Sequence, residues 1–206
     1  MSNTSITLRS VPTQARSRET FERILEAAIE VLEEEGWDGF NTNLLAQKAN
    51  CRVSAVYRYF SNKETVIATL ARRAIDEWDT WFENFDAEME ATGDLALVWS
   101  KHVDKFYNSI HQLPGGLAIR RAMKASPLLA EIDQADTDVL IQKMADTLRT
   151  NFPQLKPRRC EAIAQVLLES AVAVMDKALE STPAKAKILL EELKTMQQEY
   201  LKLCTT

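Results

Sequence analysis

Between Asn41 and Phe60 the chain carries two helical stretches of roughly two turns each, with only Asn50, Cys51 and Arg52 to connect them. Helices this short are not stable alone in water, because nucleation is unfavourable and each gains few hydrogen bonds. They must pack on a neighbour, and the preceding segment supplies one. From Ser17 onward Phe21, Ile24, Leu25, Ala28 and Leu32 recur at three-and-four spacing with Glu26, Glu30, Glu33 and Glu34 between them, which predicts an amphipathic helix. Glu19 and Glu22 suit its start, and Gly36 is placed to end it. Asn41 or Thr42 caps the first short helix, which runs to about Ala49, and the second runs from about Val53 to Phe60. Ala46 and Ala49 permit close approach, while Leu45, Cys51, Val56 and Phe60 can bury against the long helix. This layout is a helix-turn-helix.

The rest of the chain also reads as helix. Ser61 is the expected cap of the next element and Glu64 completes a capping box. That helix is long, passing Val66, Ile67, Leu70, Ile75 and Trp78 to Phe85 or beyond, until Thr92-Gly93-Asp94 breaks it. Leu95 to Ile110 follows, then a shorter helix over Ile119 to Ala125, then one from Pro127 to about Asn151 that Phe152-Pro153 ends. The last two helices, Arg158 to Leu179 and one starting at Ala184, carry more apolar surface than one core-facing stripe needs. Pairing of the same two helices from two copies would bury that surplus, with Leu167, Ala171, Val174, Leu189, Leu193 and Met196 as the expected homodimer contacts, and burial within one chain is the alternative. With 5 glycines and 6 prolines in 206 residues, the expected fold is all-α, without substantial sheet. The expected division is a tail over 1–16, made mildly basic by Arg9 and Arg16 and either mobile and solvated or brushing DNA, a helix-turn-helix domain over 17–65, and a helical bundle over 66–206.

Charge is informative when read by segment. The chain as a whole carries a formal −5, which argues against a generic nucleic-acid coat. From Gly39 to Lys63, however, the charged residues are Lys48, Arg52, Arg58 and Lys63, with no acid among them. Such a stretch can face phosphate without repulsion of its own making. Three widely separated cysteines, Cys51, Cys160 and Cys204, fit neither a disulfide framework nor a zinc site, so a reducing cytoplasm is expected. No apolar run approaches the ~18 residues a membrane span requires, and no signal-peptide pattern opens the chain, so no membrane association is expected. An enzyme is the competing class. His102 and His111 stand nine residues apart, off any shared helix face, and no phosphate loop, nucleophile elbow or metal-ligand spacing accompanies them. No catalytic residue, metal ligand or cofactor is therefore expected.

From Arg18 to about Leu70 the sequence resembles the DNA-binding domain of the tetracycline-repressor (TetR) family. The resemblance is carried by Glu35-Gly36-Trp37-Asp38-Gly39-Phe40, by Asn41-Thr42-Asn43-Leu44-Leu45-Ala46-Gln47-Lys48-Ala49, by Val56-Tyr57-Arg58-Tyr59-Phe60 and by Asn62-Lys63-Glu64, in order and without a gap. It implies an N-terminal helix-turn-helix domain, a C-terminal helical domain for ligand binding and dimerisation, a palindromic double-stranded operator as partner, and release by a small molecule. By the same resemblance Tyr57 and Lys63 match phosphate-contacting positions, while Thr42, Asn43, Arg52, Val53 and Ser54 match positions that face bases or nearby phosphates. Arg58 faces either backbone or solvent. Three departures stand out: Asn50 replaces a customary glycine, Arg52 a customary serine cap, and Ala55 a frequent threonine. Asn tolerates a left-handed turn, and Arg52 is expected to replace the phosphate bond that the missing hydroxyl would make.

For the effector, Trp78, Phe82, Trp99, Phe106, Tyr107 and Met123 are the candidate lining of an apolar pocket, and Arg120 the candidate partner of an anionic group. Core packing is the competing role for the first six and a salt bridge for Arg120. The family also leaves open an activator or a regulator without any ligand.

Overall fold

The computed structural model describes residues 8–205, the side chains of 74–83 excepted. Among the described residues there are nine α-helices and no strand: α1 Ala15–Gly39, α2 Thr42–Lys48, α3 Val53–Tyr59, α4 Lys63–Thr92, α5 Leu95–Gln112, α6 Gly116–Ala125, α7 Pro127–Asn151, α8 Pro157–Leu179 and α9 Pro183–Thr205. The breaks fall where glycine and proline predict them. Gly36, at φ +65°, interrupts the helical path of α1, and Gly93, at φ +65°, separates α4 from α5. The cap of α4 lies one residue later than expected. Asn62 rather than Ser61 takes that role, its Oδ1 accepting from the Thr65 amide at 2.8 Å and from the Thr65 hydroxyl at 2.7 Å, while Ser61 bonds the same hydroxyl at 2.7 Å. An amide oxygen with two short bonds outcompetes the neighbouring hydroxyl for the end of the helix.

Two compact units result: Met1–Asp76 with Leu113–Asp133, and Glu77–Gln112 with Gln134–Thr206. This differs from the expected division at residue 65, because α6 and the start of α7 join the N-terminal unit. Ile119, Ala122, Met123 and Leu129 are buried in one core with Phe21, Ile24 and Leu25 of α1. Gly115 shows how closely the chain is fitted there: it caps α6 at φ +67°, and a Cβ on it would lie 2.6 Å from Cγ2 of Ile29.

The second unit buries Phe85, Trp99, Val103, Met144, Leu148, Ile163, Leu167 and Leu193 in a core of its own. A polar linkage sits inside it. Gln197 of α9 accepts from the Trp99 indole of α5 at 2.6 Å and donates to the Leu167 carbonyl of α8 at 2.8 Å and to the Ser170 hydroxyl at 2.9 Å. A buried amide is costly unless its partners are in place, so the linkage specifies the register of three helices. His102 is also fully buried, its ring 4.9 Å from that of Phe85 and its Nε2 3.7 Å from a Glu88 carboxylate oxygen. Burial above all, then the nearby Lys105 charge, lowers its pKa to about 4, against the opposing pull of Glu88. No described helix is long and apolar enough to cross a membrane.

Gly115→Ala therefore combines a left-handed backbone with a clash, and should destabilise the chain by about 2 kcal/mol or more in denaturant unfolding, part of which Ile29→Ala should restore. For His102 the folded pKa lies below the unfolded one, so the unfolded chain gains a proton first as the pH falls. Stability should decline between about pH 6.5 and pH 4, by up to about 3 kcal/mol from this residue, and His102→Leu should flatten that part of the stability-against-pH curve.

Candidate nucleic-acid interface

Asn41 settles the start of α2: its Oδ1 accepts from the Leu44 amide at 2.9 Å. The turn that follows is closed by main-chain bonds, Asn50 N–H to the Gln47 carbonyl at 3.1 Å and Cys51 N–H to the Ala46 carbonyl at 2.9 Å. Asn50 takes the left-handed conformation at φ 47°, as its side chain allows and as the turn requires. Arg52 precedes α3 without a side-chain cap bond, in keeping with the loss of the hydroxyl at that position.

The core beneath α3 decides which residues are left outside. Phe60 stacks on Phe21 with ring centroids 5.1 Å apart, Tyr59 meets Phe21 edge-on at 5.3 Å, and the Tyr59 hydroxyl donates to the Ser17 carbonyl at 3.2 Å. With those two aromatics turned inward, Tyr57 faces out, 40% exposed. Its hydroxyl lies 3.1 Å from the Thr42 hydroxyl, so the start of α2 and the middle of α3 meet at one edge. Asn43, Arg52, Ser54 and Arg58 are exposed, while Thr42 and Val53 are half-buried. Arg52 and Arg58 have no acidic partner among the described residues.

The other two cations of this stretch are held more closely. Lys48 bridges Glu34 at 2.7 Å and Glu30 at 3.2 Å on α1, which offsets its charge. Lys63 is half-buried, with Nζ 3.8 Å from the centre of the Trp37 ring and donating to the Trp37 carbonyl at 3.2 Å. The ammonium is thereby stationed where α4 begins, against the end of α1.

Within the expected tail, Leu8 and Arg9 are anchored, although Arg9 and most residues from Val11 to Arg16 are exposed as expected. Leu8 packs, half-buried, on the first unit's core, and the Arg9 amide donates to the Tyr59 carbonyl at 2.9 Å. Arg9 Nη1 reaches the Tyr57 carbonyl at 3.4 Å. A single apolar residue seven positions ahead of a helix gives no period to read, so this anchoring escaped the sequence.

The residues proposed to line an effector pocket are distributed otherwise. Trp78 and Phe82 lie outside the residues whose side chains are described. Trp99 is buried and spends its indole N–H on Gln197, and Phe106 and Tyr107 are partly buried against the second unit's core. Met123 belongs to the first unit's core, and Arg120 pairs with Asp133 in the same unit. In the second unit a cavity of about 490 Å³ opens between the end of α5 and the start of α9, bordered by Asp104, Tyr107, His111, Ala186, Leu190 and Lys194. Of the candidates whose side chains are described, Tyr107 borders it.

The expected dimer contacts also need correction. Leu167, Ala171 and Leu193 are buried within the chain, because α8 and α9 pack on each other and α9 packs on α5. Val174 and Leu189 are partly buried, and Met196 is exposed at 52%. Val166 at 48%, Ile188 at 60% and Leu203 at 83% are exposed apolar residues of the same helices that are not among the expected contacts. Two apolar faces on one helix look alike in sequence, and only the packing of α5 against α9 tells them apart.

Residues 24–70 match the family model described as bacterial regulatory proteins of the tetR family, and residues 94–201 match that of the tetracyclin repressor-like C-terminal domain. A fatty acid metabolism regulator protein of Bacillus subtilis (strain 168) is 30% identical over 88 residues, covering 42% of this chain and 45% of the relative. The HTH-type transcriptional repressor KstR of Mycolicibacterium smegmatis is 28% identical over 131 residues, covering 64% and 56% respectively. The chain thus spans about half the length of the curated relatives it matches. Among solved structures, a TetR-family transcriptional regulator from Streptomyces coelicolor superposes with a TM-score of 0.63 at 20% identity, over 90% of this chain and 99% of that one, a likeness of fold.

Proposed function

Because the chain belongs to the TetR family of bacterial regulatory proteins, we propose that it is a repressor that binds a palindromic operator as a homodimer and leaves it on binding a small apolar or amphipathic molecule. The observation that carries this reading is the acid-free edge of α2 and α3, where the Thr42 and Tyr57 hydroxyls meet at 3.1 Å and Asn43, Arg52 and Ser54 stand exposed. A dimer would bring two such edges to successive turns of a major groove, about 34–36 Å apart. Tyr57, Arg52, Arg58 and Lys63 then hold phosphate and fix the register, and Thr42, Asn43, Val53 and Ser54 are left to meet bases.

For the dimer, the exposed apolar residues of α8 and α9 include Val166, Ile188, Met196 and Leu203, and Val174 and Leu189 are partly buried. The Bacillus relative's name ties it to fatty acid metabolism, which favours an effector with an acyl chain. Tyr107 stays in the proposal as an effector contact because it borders a cavity. Trp99 does not, since Gln197 already holds its indole. Selection of bound fragments from genomic DNA tests the reading as a whole: a two-fold palindrome is the expected product, and failure to enrich any sequence would end it. Addition of palmitic acid should raise the melting temperature and release the fragment.

Three phosphate-facing cations per chain, six per dimer, contribute a log–log salt slope of about −5. Lys63→Ala should weaken binding to all sequences alike, by gel shift at fixed salt, and Asn43→Ala should change which bases the selection recovers. Equal loss on operator and random DNA for Asn43→Ala would remove it from base reading. At the dimer face, Met196→Glu with Val166→Glu should yield a folded monomer in sedimentation, whereas Leu193→Ala should cost about 2–5 kcal/mol of folding stability, as a core truncation does.

A further inference from the structure

Arg9 is not among the DNA-facing residues assigned above, yet it is tied by two bonds to the main chain of α3, whose Tyr57 belongs to the proposed DNA-facing edge. Its amide donates to the Tyr59 carbonyl at 2.9 Å, and the half-buried Leu8 next to it packs on the first unit's core. The main chain is therefore held against the C-terminal end of α3. The side chain is held less firmly. Nη1 meets the Tyr57 carbonyl at 3.4 Å, at the outer limit of a hydrogen bond, and the residue is exposed. A guanidinium has five donors in a planar fork, so most of them remain for a second acceptor. The Tyr57 to whose carbonyl it bonds is the residue whose hydroxyl is proposed to hold phosphate.

The stretch of sequence that carries it has charge of one sign. Residues 1–18 contain Arg9, Arg16 and Arg18 and no acid. Glu22, on the neighbouring turn of α1, is engaged by Arg73 through two bonds of 2.6 and 2.7 Å. Capping the end of α3 accounts for the Arg9 amide on the Tyr59 carbonyl and for one side-chain N–H on the Tyr57 carbonyl, and leaves the rest of an exposed guanidinium over.

We propose that Arg9 is a further phosphate ligand of the DNA complex, fastened beside the recognition helix by the Leu8–Arg9 main chain. This rests on the DNA-binding reading above. Arg9 supplies a fourth cation per chain, and its weak bond to the Tyr57 carbonyl is kept or exchanged as the phosphate approaches. Because it meets backbone and not bases, it adds affinity without changing the preferred sequence.

The test is the salt dependence of binding to the selected operator and to random duplex, for the full chain and for Arg9→Ala, Arg9→Lys and Lys63→Ala, with unfolding midpoints measured in parallel. Arg9→Ala should weaken both DNAs by the same factor, on the order of tenfold at 0.1 M salt, and make the slope less negative by about one unit per bound chain. Arg9→Lys should restore the slope. An unchanged slope for Arg9→Ala, with or without a lower unfolding midpoint, would reduce Arg9 to a cap and overturn the proposal. A loss confined to the operator would make it a base reader and overturn the phosphate assignment. If the unsubstituted chain binds neither DNA, the DNA-binding reading itself has failed, an outcome distinct from both.

Discussion

Two helices of seven residues each cannot persist unless something else holds them, and here the holding is done by the paired aromatics at the end of α3. Tyr59 and Phe60 insert against Phe21, and the Tyr59 hydroxyl spans to the main chain of α1. Every exposed group on α2 and α3 takes its position from that insertion. An inward Tyr59 requires an outward Tyr57, since residues two apart on a helix do not share a face. The arrangement is also economical of surface, because the small Ala46 and Ala49 let α2 and α3 approach without giving up exposed polar positions.

The helix-turn-helix was largely legible in the sequence, and the reasons are local. A cap is one side chain on a nearby amide, so Asn41 is visible beside α2; a left-handed turn between two helices selects for Asn or Gly, so Asn50 is visible too. Where two candidates stood side by side, locality gave out: Asn62 and Ser61 both cap helices, and their shared partner Thr65 decides between them. Non-local facts were harder. That α6 packs on α1 follows from Ile119, Ala122 and Met123 finding Ile24 and Leu25, about a hundred residues away in sequence. The assignment of Leu167, Ala171 and Leu193 to an external face failed for the same reason, since hydrophobic periodicity marks a face but not what covers it. The effector residues show it most fully. Arg120 took the salt bridge to Asp133 and Trp99 the bond to Gln197, and neither partner could be named without the fold.

The second unit is specified differently from the first. In the first, aromatic rings and small residues set the distances between helices. In the second, the Gln197 amide ties α5, α8 and α9 together by three bonds whose geometry only one register satisfies. His102 adds a constraint of another kind, being buried where its charged form is disfavoured, so the interior is tuned to a neutral imidazole.

The contact between Thr42 and Tyr57 has a consequence for how that edge meets an anion. Each hydroxyl owns one hydrogen, and one of the two is consumed between them. If the phenol gives its hydrogen to the threonine, the threonine keeps its own to offer outward; if the direction reverses, the phenol does. The couple thus always retains a single transferable donation, and swapping its origin needs only two rotor turns. A charged oxygen arriving nearer to either residue finds the same bond waiting, with no displacement of backbone.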